Sequence, residues 1–133
     1  MAYEFDWKLR AADTDFSRRV YTPAVLDYTV RAINQLMEDI DHSAYQIHER
    51  EGLLYPIAHA EIDYLEAIEV GDLVTISLSH AVGGSSITFE AVGRRDGVEV
   101  FEAEVVVVFV GDSDGRSVPV PDAVRTRLDE RMA

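Results

Sequence analysis

The 133-residue chain predicts a two-layer α+β domain, with one long helix packed on a five-stranded antiparallel sheet. Three observations predict it. Residues 3–11 alternate apolar and polar side chains, as a half-buried strand does. Residues 22–41 carry one broad apolar helical face. Residues 54–110 read throughout as strands joined by short glycine-bearing turns.

In the first strand Tyr3, Phe5, Trp7 and Leu9 fall on one side, and Glu4, Asp6, Lys8 and Arg10 on the other. A loop holding Asp13 and Asp15 follows. Thr22-Pro23 then signals a helix start, with the hydroxyl at the N-cap and proline at the first helical position. Leu26, Val30, Ile33, Met37 and Ile40 recur at steps of three and four, and the helix is expected to end near residue 41. Residues 43–51 predict a second short helix, stopped by Gly52.

The next strand covers about 56–66. Gly71-Asp72 leads into a second and Gly83-Gly84 into a third. Asp96-Gly97 predicts a tight hairpin before the last strand, 98–110, which becomes apolar on both faces as an interior strand would. Pro119 and Pro121 precede a charged tail helix at about 122–131. No repeat or composition shift divides the chain, so 1–133 reads as a single domain.

Composition narrows the function classes. The formal net charge is −13, from 25 acidic and 12 basic residues, a balance that repels nucleic acid and anionic lipid. No apolar run reaches membrane-spanning length, and the N-terminus lacks the pattern of a signal peptide. Without cysteine there is no disulfide, thiolate metal site or cysteine nucleophile. A soluble cytoplasmic protein is expected. Lys8 is the only lysine. That composition fits a salt-loving host as well as it fits an acidic protein from a GC-rich genome.

Four segments, in order, resemble one family. D-T-D-F-S-R-R-V-Y supplies Asp13, Asp15, Val20 and Tyr21 ahead of the long helix. E-I-D-Y-L-E-A-I-E-V-G-D ends a strand in an aromatic residue before Gly-Asp. The Asp96-Gly97 hairpin with its valine-rich strand and the closing G-D-S-D-G-R-S-V-P-V-P complete the set. Together they are similar to the hotdog-fold acyl-CoA thioesterases of the 4-hydroxybenzoyl-CoA thioesterase family, over nearly the whole chain. The family motif D-x-D-x-x-G-x-V carries glycine, then histidine or a small residue, where this chain has Arg18-Arg19.

The resemblance implies hydrolysis of an acyl-CoA to free acid and coenzyme A, with CoA as part of the substrate and no separate cofactor. It implies that Asp15 is the catalytic carboxylate and that Asp13 shapes the loop. A carboxylate beside a helix start suits this chemistry, because it can activate water or attack directly while free N–H groups face the developing oxyanion. Tyr21, Tyr28, His59 and Tyr64 are candidates to line the substrate pocket, although core packing would equally occupy the tyrosines. Arg18, Arg19, Ser86, Arg94 and Arg95 are candidates for CoA, with Ser85, Thr88 and Arg116 beside them. His42, His48 and His80 have no ligand partners at useful spacing, so no metal is expected.

The family joins the sheets of two subunits, implying a homodimer or a tetramer made of two. An exposed sheet edge argues the same way. Two other readings stand beside hydrolysis. One is a non-enzymatic acyl-CoA binder on the same fold. The other is a (de)hydratase, which the absence of histidine from residues 1–41 disfavours.

Overall fold

The computed structural model describes residues 2–132. Five strands form one antiparallel sheet in the order β1-β4-β5-β6-β3: β1 (Tyr3–Lys8), β3 (Ile57–Tyr64), β4 (Leu73–Val82), β5 (Ser86–Arg95) and β6 (Val98–Val108). A small second pairing joins β2 (Leu53–Leu54) to β7 (Val110–Gly111). The helices are α1 (Thr22–Asp39), α2 (Ala44–Glu51) and α3 (Asp122–Met132). No helix among the described residues is long and apolar enough to cross a membrane.

Alternation builds the core. Trp7, Val74, Ile76, Leu78, Ile87, Phe89, Val105 and Val107 point to one face of the sheet and are buried. Val25, Ala32, Ile33, Leu36 and Met37 of α1 cover that face. α1 does not cover it alone. Val124, Leu128 and Met132, four residues apart along α3, are buried as well. Asp129 of α3 reaches His80 Nε2 at 3.1 Å, and His80 shares the inner side of β4 with Leu78. Among the described residues there are three helices, the long one and the two short ones expected at 43–51 and 122–131, and the tail helix joins the single long helix in covering the sheet.

Two turns follow their sequence signals closely. Asp96 and Gly97 have φ of 51° and 78°, the paired left-handed geometry of a type I′ hairpin. Ser43 and Gln46 form a reciprocal capping box on α2, and Gly52 closes it at φ 65°. The start of α1 differs from its signal by one residue. The N-cap is Tyr21, held by its N–H to Asp13 O at 2.8 Å, and Pro23 sits at the second helical position. The tertiary bond to Asp13 sets the entry of the chain, so Thr22 is already helical. Strand β3 ends at Tyr64, because the N–H groups of Leu65 and Glu66 both turn to Val100 O.

Gly93 on β5 stands directly opposite Phe101 on β6. A Cβ at Gly93 would lie 2.1 Å from Phe101 Cε2, in a ring that is fully buried. Gly93→Ala is therefore expected to cost about 1–3 kcal/mol through overpacking. Chemical denaturation at fixed salt checks this, and an unchanged midpoint would show that the ring swings aside freely.

Candidate functional site

The loop between β1 and α1 is built on Asp13. Its carboxylate is buried and accepts from Trp7 Nε1 at 3.3 Å and from Arg10 N at 3.0 Å. Trp7 stacks on Tyr28 with ring centroids 4.3 Å apart, and the Arg31 guanidinium lies over the Tyr28 ring. Burial raises the Tyr28 pKa, and the nearby Asp13 carboxylate adds to the shift. Tyr28 thus belongs to the anchor beneath the loop.

Beyond the anchor the chain folds back on itself. Asp15 N donates to Arg19 O, and Arg18 N to Asp15 O, each at 3.0 Å. Val20 N and Val70 N then tie the loop to the segment after β3. Arg18 occupies the left-handed region at φ 65°. That is the conformation for which glycine is the usual residue, so the loop keeps a glycine-type path with an arginine in it.

Asp15 is exposed and its two oxygens differ. Oδ1 accepts from Ser17 N at 2.8 Å and from Ser17 Oγ at 2.5 Å. Oδ2 has no hydrogen-bond partner among the described residues. The Ser17 bonds, hydroxyl first, lower the Asp15 pKa from its ordinary value, and the Arg19 charge adds to the effect. By type alone Ser17 is one more serine in a polar loop. Its two-residue spacing from an aspartate is the Asx-turn signal that could have found it.

Asp15 opens onto a cleft of about 510 Å³, shared with Ser17, Arg19, Thr22, Tyr64 and Glu66. Thr22 stands at the start of α1, where no side chain caps the helix. Pro23 has no N–H, Ala24 N–H is bonded to Tyr21 O, and Thr22 N–H has no acceptor among the described residues. Tyr64 donates its hydroxyl to Thr22 O at 2.6 Å, and burial raises its pKa. The cleft therefore joins a carboxylate oxygen, a helix N-terminus and a cation, which can activate water and stabilise an oxyanion.

The other candidates lie apart. Tyr21 is 55% exposed beside the helix start, outside the cleft lining. His59 is on the outer face of the sheet, next to Glu61 and Glu104, because it alternates with Tyr64 along β3. Arg95 is held at home by Asp72 at 2.8 Å and by Ala67 O. Arg94 pairs in register with Glu99 and Thr75 on the outer face. Ser86 begins β5 and Arg94 and Arg95 end it, so they cannot share one phosphate. Arg18 and Arg19 form no ion pair within 4.0 Å among the described residues. A separate apolar groove of about 360 Å³ lies between α1 and the start of β3, lined by Val30, Ile33, Leu54, Tyr55, Ile57 and Val107.

The family model of the thioesterase-like superfamily matches residues 9–128. The 1,4-dihydroxy-2-naphthoyl-CoA hydrolase of Nostoc punctiforme is 29% identical over 114 residues, covering 80% of this chain and 68% of that protein. A 1,4-dihydroxy-2-naphthoyl-CoA thioesterase from Synechocystis superposes with a TM-score of 0.91 at 17% identity, over 98% of this chain and 97% of that one. A Staphylococcus aureus protein solved in complex with CoA gives 0.90 at 13% identity, over 98% and 83%.

Proposed function

The chain belongs to the thioesterase-like superfamily, and from that membership we propose that it is an acyl-CoA thioesterase with Asp15 as its catalytic carboxylate. The observation that carries the assignment to Asp15 is a carboxylate with a free Oδ2, on a residue lining a cleft at the uncapped start of α1. Asp15 takes a proton from water as that water adds to the thioester carbonyl carbon. The N-terminus of α1 faces the oxyanion. Collapse breaks the C–S bond and returns the proton to the thiolate, releasing free acid and CoA. Direct attack by Asp15 on the carbonyl would use the same oxygen. No histidine lines the cleft, which favours hydrolysis over a histidine-dependent dehydration.

Arg19, which lines the cleft, and Arg18 beside it offer positive charge to an anionic substrate that the rest of the surface repels. The acidic surface is a salt adaptation in this reading, so activity should be assayed at low and at molar salt. The working unit is a homodimer, or a tetramer of two such dimers, formed along β3. That edge strand is exposed at every residue except Ile62; exposed Ile57 and Tyr64 begin and end it, and exposed Leu54 and Leu65 flank it in sequence. The apolar groove adjoins Ile57 at one end of β3 and the Asp15 cleft adjoins Tyr64 at the other. Antiparallel pairing of two β3 strands brings one chain's groove to the other's cleft, giving an acyl group a pocket beside the carboxylate. Sedimentation equilibrium tests the assembly, and a monomer at assay concentration would reject it.

Release of free thiol from a panel of acyl-CoAs tests the activity. Its pH dependence tests the electrostatics of Asp15. A lowered pKa keeps the carboxylate charged below the ordinary aspartate range, so the acid limb of kcat/KM should fall below that range. Ser17→Ala removes the largest cause and should move that limb upward. An unmoved limb would show that another group sets it.

A further inference from the structure

On the outer face of the sheet, His59 and Glu61 stand two residues apart on β3, so their side chains share that face. Glu104 of β6 is directly opposite Glu61. His59 Nε2 lies 3.1 Å from Glu61 Oε1 and 3.8 Å from Glu104 Oε2. The three ligand atoms lie within 4.8 Å of one another. We propose that His59, Glu61 and Glu104 form a binding site for a divalent transition-metal ion, with Zn²⁺ as the best match.

The donor chemistry and spacing point to that class of ion. An imidazole selects for zinc-like metals over calcium or magnesium, and two carboxylates neutralise the charge. Tetrahedral Zn²⁺ with bonds near 2.0–2.2 Å holds its ligand atoms roughly 3.3–3.5 Å apart. The two spacings from His59 Nε2, 3.1 and 3.8 Å, bracket that value, and the two carboxylate oxygens lie within 4.8 Å of each other, so rotamer changes close the site. Three protein ligands leave one position for water.

The backbone also aims the histidine. A register shift between Ile57 and His59 pairs Ile57 with Val107 but His59 with Val106. Without that bulge His59 would face Val105, an inward residue. Charge supplies a further reason. Glu90 of β5 is directly opposite Glu104, so Glu61, Glu104 and Glu90 form a row across three strands. Like charges directly opposed across strands are destabilising, and the row continues to Ser79 without a lysine or arginine. These carboxylates border a depression of about 360 Å³. The trio shares no residue with the Asp15 cleft.

Titration calorimetry of the chelator-treated full chain with Zn²⁺ tests the site. One saturable equivalent per chain is expected. His59→Gln and Glu104→Gln should each weaken it by at least about tenfold, since even outer-shell partners of a metal matter that much. His48→Asn, at an exposed His48–Asp112 pair elsewhere, should leave it unchanged. Co²⁺ in place of Zn²⁺ should give a visible ligand-field absorption that the same two variants lose. Absence of saturable binding would overturn the proposal. So would binding that Glu104→Gln leaves intact, because His59 would then be acting as a lone surface imidazole. Glu104→Gln also removes a like-charge contact, so misfolding is not the expected cause of its loss.

Discussion

Asp15→Asn is expected to lower kcat for acyl-CoA hydrolysis by roughly 10²–10⁴-fold, the range for a lost general base. The variant should fold normally. Asparagine keeps an Oδ1 that accepts from Ser17 N and Ser17 Oγ, so the turn holding residue 15 survives. What disappears is the charge, and with it the ability of Oδ2 to take a proton or to attack carbon. KM should change little if Asp15 acts chiefly in the transition state. Thiol release from the best acyl-CoA of the panel, at low and molar salt, gives both constants. A variant within a few-fold of the parent would place the chemistry elsewhere. Bound acyl-CoA without turnover in the parent itself would make the protein a binder.

Asp13→Ala is expected to reverse that pattern, with stability as the first loss. The Asp13 carboxylate is buried and receives the Trp7 indole N–H and the Arg10 N–H. Alanine would leave both donors unpaired beneath the loop. Each stranded donor costs about 1–3 kcal/mol, so a loss of about 2–6 kcal/mol is expected. Denaturant midpoints at constant salt measure it. Activity should fall as well, because the loop that presents Asp15 rests on this anchor. A change below about 0.5 kcal/mol, typical of a surface substitution, would show that the anchor is not built on Asp13. Together the two variants separate chemistry from architecture in a motif where the same residue type does both.

The division of labour between these aspartates was only partly legible. D-T-D marks both as loop residues, and nothing local says which one is buried. The answer depends on Trp7 and Tyr28, six residues before and fifteen after Asp13, stacking beneath it. Arg18 shows the same limit. Its departure from the family glycine suggests an altered loop, yet bonds from Val20 and Val70 hold the glycine-type path. The α3 stripe of Val124, Leu128 and Met132 was readable as a helix face, but a charged tail gives no sign that it shares the core with α1.

Periodicity and turn chemistry determined the strands, the long helix, the Asp96-Gly97 hairpin and the capped second helix. These depend on residues a few positions apart, whose conformational preferences act within the segment itself. Packing alone decided the entry point of α1, the pairing of Asp15 with a cleft completed by Tyr64 and Glu66, and the placing of His59 beside Glu104. Apart from the Tyr21–Asp13 bond, those contacts join residues tens of positions apart. Their geometry is set by sheet register and by which faces must be buried, quantities that no short stretch of chain contains.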